Sequence, residues 1–448
     1  MSENGPPVVL GRGMDEEEKV LKDPVHGFIY IHDPLYWALI NTREMQRLRR
    51  VRQLGTTYLT YPGGEHSRFS HALGTYEVAR RILQAFARNG TGLDPETERL
   101  VLASAMLHDI GHGPFSHALE ALWGPRHEVW GERVLLDPET DVHQVLARFD
   151  ASFPAAVADV IMKRHPNRLA VSMVSGQLDA DRLDYLMRDS LFTGVDYGKF
   201  DLERILRVIL PMGDRLVVKR TGIHTVEAYL LARYFMYWQV YFHPVCRSAE
   251  IVLKKTLERA RDLAAEGKAP SVSGSALGAW LKGEPLSLPA YLALDDHVLL
   301  AVLAGWQREA QDPVLRDLAG RLLDRRLFRY REYPVDTNPR RFGEMEQAVA
   351  AVGLPPQYYV EVDETSGVYY DYYVGEEDRA GADGPLYLWD GSDLIEMSRL
   401  SRPLQGIARE RQRERYLYYP AEAAPMIEGL WARRGRRHGR TDASGGGS

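Results

Sequence analysis

The sequence predicts a mainly α protein, a large helical body followed by a smaller α+β lobe. Two observations carry this reading. Between about residues 34 and 325, apolar residues recur at helical spacing. After about 325 the period shortens: FRYREYPV, YYVEVDE, GVYYDYYV and PLYLW are rich in Tyr and Val and alternate as strands do. A chain of 448 residues is long enough to bury a sizeable core without disulfides or a structural metal.

Taken in order, residues 1–17 are Gly/Pro-containing and then acidic, and are expected to be disordered. Residues 20–32, VLKDPVHGFIYIH, read as a short hairpin around Gly27. YEVARRILQAFARNG places Val78, Ile82, Leu83 and Phe86 on one helical face, with Gly90 as its stop. PETERLVLASAMLHDIGH is a second helix, with Pro95 and two glutamates near its start and Leu100, Ala103 and Leu107 on its apolar face. Further helices are expected at about 142–165, 170–190, 201–210 and 224–266, the last interrupted or kinked by Pro244. The expected organisation is a core over 18–266, a helical extension and α+β lobe over 267–430, and a basic Gly/Ser tail over 431–448.

Composition excludes several classes of function. Lys plus Arg number 56 against 62 Asp plus Glu, a net charge of −6, so the chain is no obligate polyanion binder. The single cysteine, Cys246, rules out an internal disulfide and every Cys-rich zinc site. The N-terminus has no apolar signal core, and the greasiest stretch, 228–242, is broken by Arg233 and Gln239 and is too short for a bilayer. A cytoplasmic protein with no membrane partner is expected.

The chemistry concentrates in His108-Asp109-Ile110-Gly111-His112-Gly113-Pro114-Phe115-Ser116-His117. Three histidines and an aspartate within ten residues far exceed chance in a chain with 14 histidines. An adjacent His-Asp pair near a helix end can offer an imidazole and a carboxylate to one metal; Gly111, Gly113 and Pro114 should end the helix and turn His112 and His117 toward the same cleft. Upstream stands EHSRFSH, ending in His71. Downstream, Asp181, Tyr185 and Asp189 recur every four residues and share one helical face.

His71, His108-Asp109 and Asp181 match the H…HD…D signature of the HD-domain metal-dependent phosphohydrolases. DPVHGFIYIH, MQRLRRVRQLG, HSRFSHALG, LHDIGHGPFSH, LDADRLDYLMRD and YFHPVCRSAEI together resemble the SAM-and-HD-domain deoxynucleotide triphosphohydrolases and their bacterial relatives. The resemblance is close over about 20–260 and loose from there to about 420. The stretch before Asp23 is too short for a sterile-alpha-motif domain, so none is expected.

The resemblance implies an HD helical bundle in which His71, His108, Asp109 and Asp181 bind one divalent metal. Imidazoles with carboxylates suit Mn, Fe, Ni, Zn or, less tightly, Mg. It implies water attack at the α-phosphorus of a dNTP, releasing deoxynucleoside and intact triphosphate. His112 and His117 would stand at the α-phosphate, with His117 the candidate acid, and His127 matches a third active-site histidine. Glu120 occupies the place of the aspartate that usually partners His127. Arg68, Arg182 (where a lysine is common) and Arg233 would meet the phosphates. Gln53, Leu54, Tyr185, Asp189 and Tyr241 would meet the nucleoside, with Tyr241 against the 2′-carbon. Some relatives are switched on by a nucleotide with Mg at subunit interfaces. Asn41, Gln46, Arg49 and Arg204 fall near those positions, Asn41 replacing an acidic residue; a homo-oligomer is implied. Alternative readings are an HD enzyme acting on nucleoside monophosphates or (p)ppGpp, or a nucleic-acid-binding HD protein using the arginines at 47–52 and the basic tail.

Overall fold

In the computed structural model, the structure describes residues 18–270, 275–335, 337, 340–366, 385–409 and 413–438. The segments expected to be disordered or strand-like at 1–17, 367–374 and 439–448 lie outside these residues.

The chain opens on an antiparallel hairpin, β1 (Lys19–Asp23) and β2 (Gly27–Ile31), with Asp23 opposite Gly27. The Asp23 carboxylate accepts from the backbone N–H groups of Val25 and His26, both at 2.9 Å, and Gly27 takes a left-handed φ of 77°. An Asp followed by a Gly is what so tight a turn needs.

Thirteen helices then build the body. They are α1 (Pro34–Ile40), α2 (Arg43–Arg47), α3 (Arg68–Arg88), α4 (Pro95–Leu107), α5 (Ser116–Trp123), α6 (His127–Leu136), α7 (Asp141–Phe149), α8 (Phe153–Ile161), α9 (Arg168–Ser175), α10 (Ala180–Thr193), α11 (Leu202–Val208), α12 (Ile223–Met236) and α13 (Pro244–Ala265). Local signals place the first long ones. Ser67 caps α3, and the helix stops at Asn89 before Gly90 at φ 74°. Asp94 caps α4 just ahead of Pro95. The apolar faces expected for both helices are buried.

Three expected helices are divided. The stretch 142–165 splits into α7 and α8, because the Asp150 carboxylate accepts from the Ser152 N–H at 2.7 Å in the connecting turn. The stretch 170–190 splits into α9 and α10 at Gly176, and Asp179 caps the new start. The stretch 224–266 is more than kinked: α12 widens into a π-helical turn at Tyr237–Tyr241, and α13 starts afresh at Pro244. A proline lacks the N–H that a helix interior needs but fits a first turn.

Two hydrophobic cores result. The first gathers α1, α3, α4 and α6–α12, with Ile29 and Ile31 of the hairpin. The second lies under α13, α14 (Ser275–Leu281), α15 (Leu288–Leu292), α16 (Asp296–Glu309) and α17 (Pro313–Leu323), and reaches the C-terminal strands. Two short strands, β3 (Ile209–Met212) and β4 (Arg215–Lys219), form a second hairpin. In the lobe, β5 (Arg329–Glu332) and β6 (Glu361–Ser366) flank the last strand, Arg413–Tyr419, both antiparallel. The PLYLW strand goes elsewhere. As β7 (Tyr387–Trp389) it runs parallel to β4 and pairs with β8 (Leu394–Glu396), tying 387–396 back to the body across the expected division at 266. The closing helix, Ala424–His438, carries regular structure into residues expected to be a flexible tail.

No helix among the described residues is long and apolar enough to cross a membrane.

Candidate metal centre and active site

The HDIGHGPFSH run crosses the seam between the two cores: Ile110 is buried in the first and Phe115 in the second. Helix α4 ends at Leu107, ahead of the glycines expected to end it. Gly111 instead permits close packing, since a Cβ there would overlap the His127 carbonyl and the Gly131 backbone. Phe115 and Ser116 hold left-handed φ values of 50° and 40°, unusual without glycine. That conformation is held by Asp296 at the start of α16, which accepts from Phe115 N at 2.8 Å and from Arg52 N at 2.9 Å.

His71 (α3), His108 (end of α4) and Asp181 (α10) bring three donor atoms within 4.8 Å of one another. His71 Nε2 is 3.2 Å from His108 Nε2 and 3.1 Å from Asp181 Oδ1. Asp109 reaches the group too, 3.3 Å from His108 Nε2 and 3.8 Å from His71 Nε2. The opposite nitrogens fix the tautomers. His71 Nδ1 faces the Asp184 carboxylate at 2.8 Å, and His108 Nδ1 faces the Ala105 carbonyl at 2.9 Å. Both Nδ1 atoms therefore carry the hydrogen, and two Nε2 lone pairs confront each other beside carboxylates. Such an arrangement demands a cation between its donors. The local field says the same: burial opposes charge on His71, yet its hydrogen bonds to the Asp181 and Asp184 carboxylates outweigh it and push its pKa up to about 10, so a positive charge, a proton or a metal cation, is favoured at this nitrogen. The residues present fit a divalent metal.

Behind the donors lies a fully buried support that the sequence analysis missed. Asp184 binds His26 Nε2 at 2.6 Å through its other oxygen, and Arg188 bridges Asp184 to Asp23. Burial penalises the Asp184 charge, but Arg188, His26 and His71 hold its carboxyl well below the usual range.

A cavity of about 470 Å³ opens beside the donors. Of the residues singled out from sequence, Gln53, Leu54, Arg68, His108, Asp109, His112, His127, Asp181, Arg182, Tyr185, Asp189 and Tyr241 line it. Arg68 is buried, ion-paired to Asp109, and bonded to Ser116 Oγ at 2.8 Å. His112 stacks on His127 with ring centres 3.8 Å apart, and burial, then Arg68 and His127, hold it well below the usual histidine range, so it is neutral. Glu120 reaches His127 Nδ1 at 2.6 Å and also accepts the His127 backbone N–H at 2.7 Å. The longer carboxylate thus makes the pairing that an aspartate was expected to make. His117 stands in the first turn of α5, and its side chain lies outside the described residues.

Asp189 is the hub of the far wall. His66 Nε2 lies 2.7 Å from one of its oxygens, and Tyr241 Oη donates to the other at 2.7 Å. The Tyr241 ring packs edge-on against Tyr185 at 6.2 Å. Gln53 Oε1 is buried and has no protein partner. His66 was not singled out from sequence, although it sits within EHSRFSH; Lys163, Arg247 and Glu250 were also missed and line the cavity.

Arg233 is not among the lining residues. It is buried, donates to Gln177 Oε1 at 3.2 Å and lies over the Tyr237 ring at 5.7 Å. Arg182 bonds Gly176 and Asp179 at the start of its own helix. The four residues near allosteric positions do not form one group. Arg49 Nε donates to Gln46 Oε1 at 2.9 Å and stacks on Phe69, Gln46 and Asn41 bond carbonyls of α1, and Arg204 bonds the Thr221 carbonyl. The neighbouring arginines are internally engaged as well: Arg47 with the carbonyls of His112 and Leu294, Arg50 with Asp295, Arg52 with Glu65. Arg47 is buried and braces the fold, whereas Arg49 and Arg50 remain exposed beside their partners.

A model of the HD domain matches residues 68–185, and one of the HD-associated region matches 200–348. The uncharacterized protein YwfO of Bacillus subtilis is 44% identical over 412 residues, covering 92% of this chain and 94% of its own.

The chain belongs to the HD-domain phosphohydrolase family.

Human SAMHD1, a deoxynucleoside triphosphate triphosphohydrolase, is 26% identical over 355 residues; the HD-domain chain described here spans 54% of its length. A crystal structure of a phosphohydrolase from Bacteroides thetaiotaomicron superposes with a TM-score of 0.79 at 29% identity, covering 90% of this chain and all of that one. HD domains bind a divalent metal; among the described residues His71, His108 and Asp181 form a group that could hold one, as do Glu120, His127 and Glu128, and the first is the one that contains the HD pair's histidine.

Proposed function

We propose that this HD-domain protein is a deoxynucleoside triphosphate triphosphohydrolase that cleaves at the α-phosphorus and releases deoxynucleoside and intact triphosphate. The observation that carries the reading is that Asp189 and Tyr241, with His66 bonded to Asp189 from outside the lining, share one cavity with the donors His108, Asp109 and Asp181, a wall suited to a hydroxyl within reach of one suited to phosphate. The volume suits one small ligand.

His71, His108, Asp109 and Asp181 would hold a divalent ion, which would supply Lewis-acid polarisation of a phosphate and lower the pKa of a water. The chain's own groups do the rest. Arg68, Lys163 and Arg182 offer positive charge along the cavity for the phosphates. Glu120 keeps the hydrogen of His127 on Nδ1, which leaves Nε2 to exchange a proton. His112 stays neutral against it, and His117 is the candidate acid by resemblance. Proton delivery to the 5′-oxygen belongs to this histidine wall. On the opposite side the Asp189 carboxylate and the unpaired Gln53 Oε1 are acceptors suited to a 3′-hydroxyl. The resemblance supplies the α-phosphate position; the cavity chemistry is consistent with it.

The test is incubation with each dNTP and Mn²⁺, in water enriched in heavy oxygen, with products separated by chromatography. The label is expected on tripolyphosphate and absent from the nucleoside. Orthophosphate with dNDP would refute attack at the α-phosphorus. Deoxynucleoside monophosphates hydrolysed in preference to every dNTP would favour the other HD chemistry.

Sugar discrimination is expected to depend on Tyr241. Its ring packs edge-on against Tyr185 in the cavity lining and its hydroxyl is committed to Asp189, so the ring is a fixed wall. Exclusion of a 2′-hydroxyl left without a partner is worth roughly 1–3 kcal/mol, about 5- to 150-fold. Tyr241→Ala should therefore lose dGTP turnover while losing relatively less on GTP, narrowing the ratio by that factor. If the ring only packs, both substrates suffer alike and the melting temperature falls.

A further inference from the structure

We propose that the N-terminal hairpin is a lock on the metal centre, with His26 as a positioning residue that holds the metal-binding nitrogen of His71 in place through Asp184. The inference rests on the reading of His71 as a metal ligand and goes beyond it, because it assigns a role to residues that touch neither metal nor substrate.

The argument starts from the two oxygens of Asp184. One lies 2.6 Å from His26 Nε2 and 2.9 Å from an Arg188 NH2 group. The other lies 2.8 Å from His71 Nδ1 and 2.8 Å from Arg188 Nε. Four donors thus saturate one carboxylate, which has about four acceptor sites. A carboxylate held at four points cannot rotate, so it fixes both the tautomer and the plane of the His71 ring. The Nε2 atom of that ring is the one that meets His108 and Asp181.

The donors come from different parts of the chain. His71 is on α3, Arg188 is on the same helix as Asp184, and His26 arrives from the hairpin turn 158 residues away. The turn is itself tied to the cluster. Asp23, whose carboxylate shapes the turn by accepting from Val25 and His26, also accepts from Arg188 NH1 at 2.8 Å. Asp23, Arg188, Asp184 and His26 therefore form a closed ring of contacts, and the side chains of Asp184 and Arg188 are wholly excluded from solvent. Space for the ring is made on α3, where a Cβ on Gly74 would overlap the Asp184 carboxylate and the Arg188 guanidinium. A hairpin needed only to cover the core would bury Ile29 and Ile31 and need no imidazole in its turn.

The test is Mn²⁺ binding to the chelator-stripped full chain by isothermal titration calorimetry, with the melting temperature measured with and without the ion. His26→Ala is expected to weaken Mn²⁺ binding about 10- to 100-fold, the usual cost of losing a partner behind a ligand. His26→Phe fills the same volume without a donor; it carries the same expectation and stands in should the alanine variant not fold. His26→Gln returns an N–H donor and should restore most of the affinity. Ile29→Ala loosens the hairpin's apolar anchor without touching the ring; it should lower the melting temperature and leave Mn²⁺ affinity as it was. Wild-type affinity in His26→Phe would overturn the lock, as would an equal loss in Ile29→Ala, which would reduce His26 to packing. Failure of the wild-type chain to bind Mn²⁺ would overturn the metal-centre reading itself, a result the variants cannot mimic.

Discussion

Asp181→Ala is expected to abolish phosphohydrolase turnover while the helical body stays folded. The aspartate is one of three donors that converge within 4.8 Å, and its side chain is 30% exposed to the cavity. Its loss removes the only carboxylate that reaches both imidazoles from α10, and the facing Nε2 atoms of His71 and His108 then have little to hold a cation between them. The apolar cores do not depend on this residue. Turnover should fall by several orders of magnitude, and the far-UV circular dichroism spectrum should remain that of the wild type. Metal content after dialysis should fall in parallel. A variant with near wild-type turnover would remove Asp181 from the metal centre and, with it, the H…HD…D assignment.

Arg188→Ala is expected to give the largest loss of stability of any single substitution near the site. The guanidinium is fully buried and neutralises two buried carboxylates, Asp184 and Asp23. Truncation leaves both acids in a low-dielectric interior with no cation between them, which costs about 3–5 kcal/mol for a pair broken on one side. A surface arginine provides the contrast. Arg164 pairs with Glu132 and Asp159 while half exposed, and Arg164→Ala should cost about 0–1 kcal/mol. Denaturant midpoints of the two variants, measured side by side, check the difference. Equal midpoints would mean that water reaches the Asp184 cluster and that the charges there are screened as at a surface.

Much of this protein is written locally. The hairpin turn around Gly27, the stop at Gly90, Pro95 at the start of α4 and the 3.6-residue period of α3 and α4 act over a few residues, so a reading of the chain finds them, although the Ser67 and Asp94 caps escape it. The metal donors are legible for a related reason: an adjacent His-Asp pair with two more histidines close by has few uses besides chemistry. Helix breaks were harder. The turns at Asp150 and Gly176 interrupt runs whose apolar spacing continues on either side, and periodicity does not register a short change of direction.

What the sequence by itself determined is the helical class of the body; His71, His108, Asp109 and Asp181 are linked as a set by their resemblance to the H…HD…D signature, and the fold brings them close together. Which groups stand behind and across from that set was decided by the tertiary structure. His26 meets Asp184 across 158 residues, His66 meets Asp189 across 123, and Asp296 holds the backbone of Phe115 across 181. Each is a buried polar group that had to find a partner once two cores packed together, and the partner depends on how helices distant in sequence lie against one another. The strand at 387–389 shows the same limit: its alternation is local, but its parallel pairing with β4 exists only because the chain returns to the body. Short-range preferences specify an element, whereas burial and the satisfaction of buried polar groups specify its neighbours.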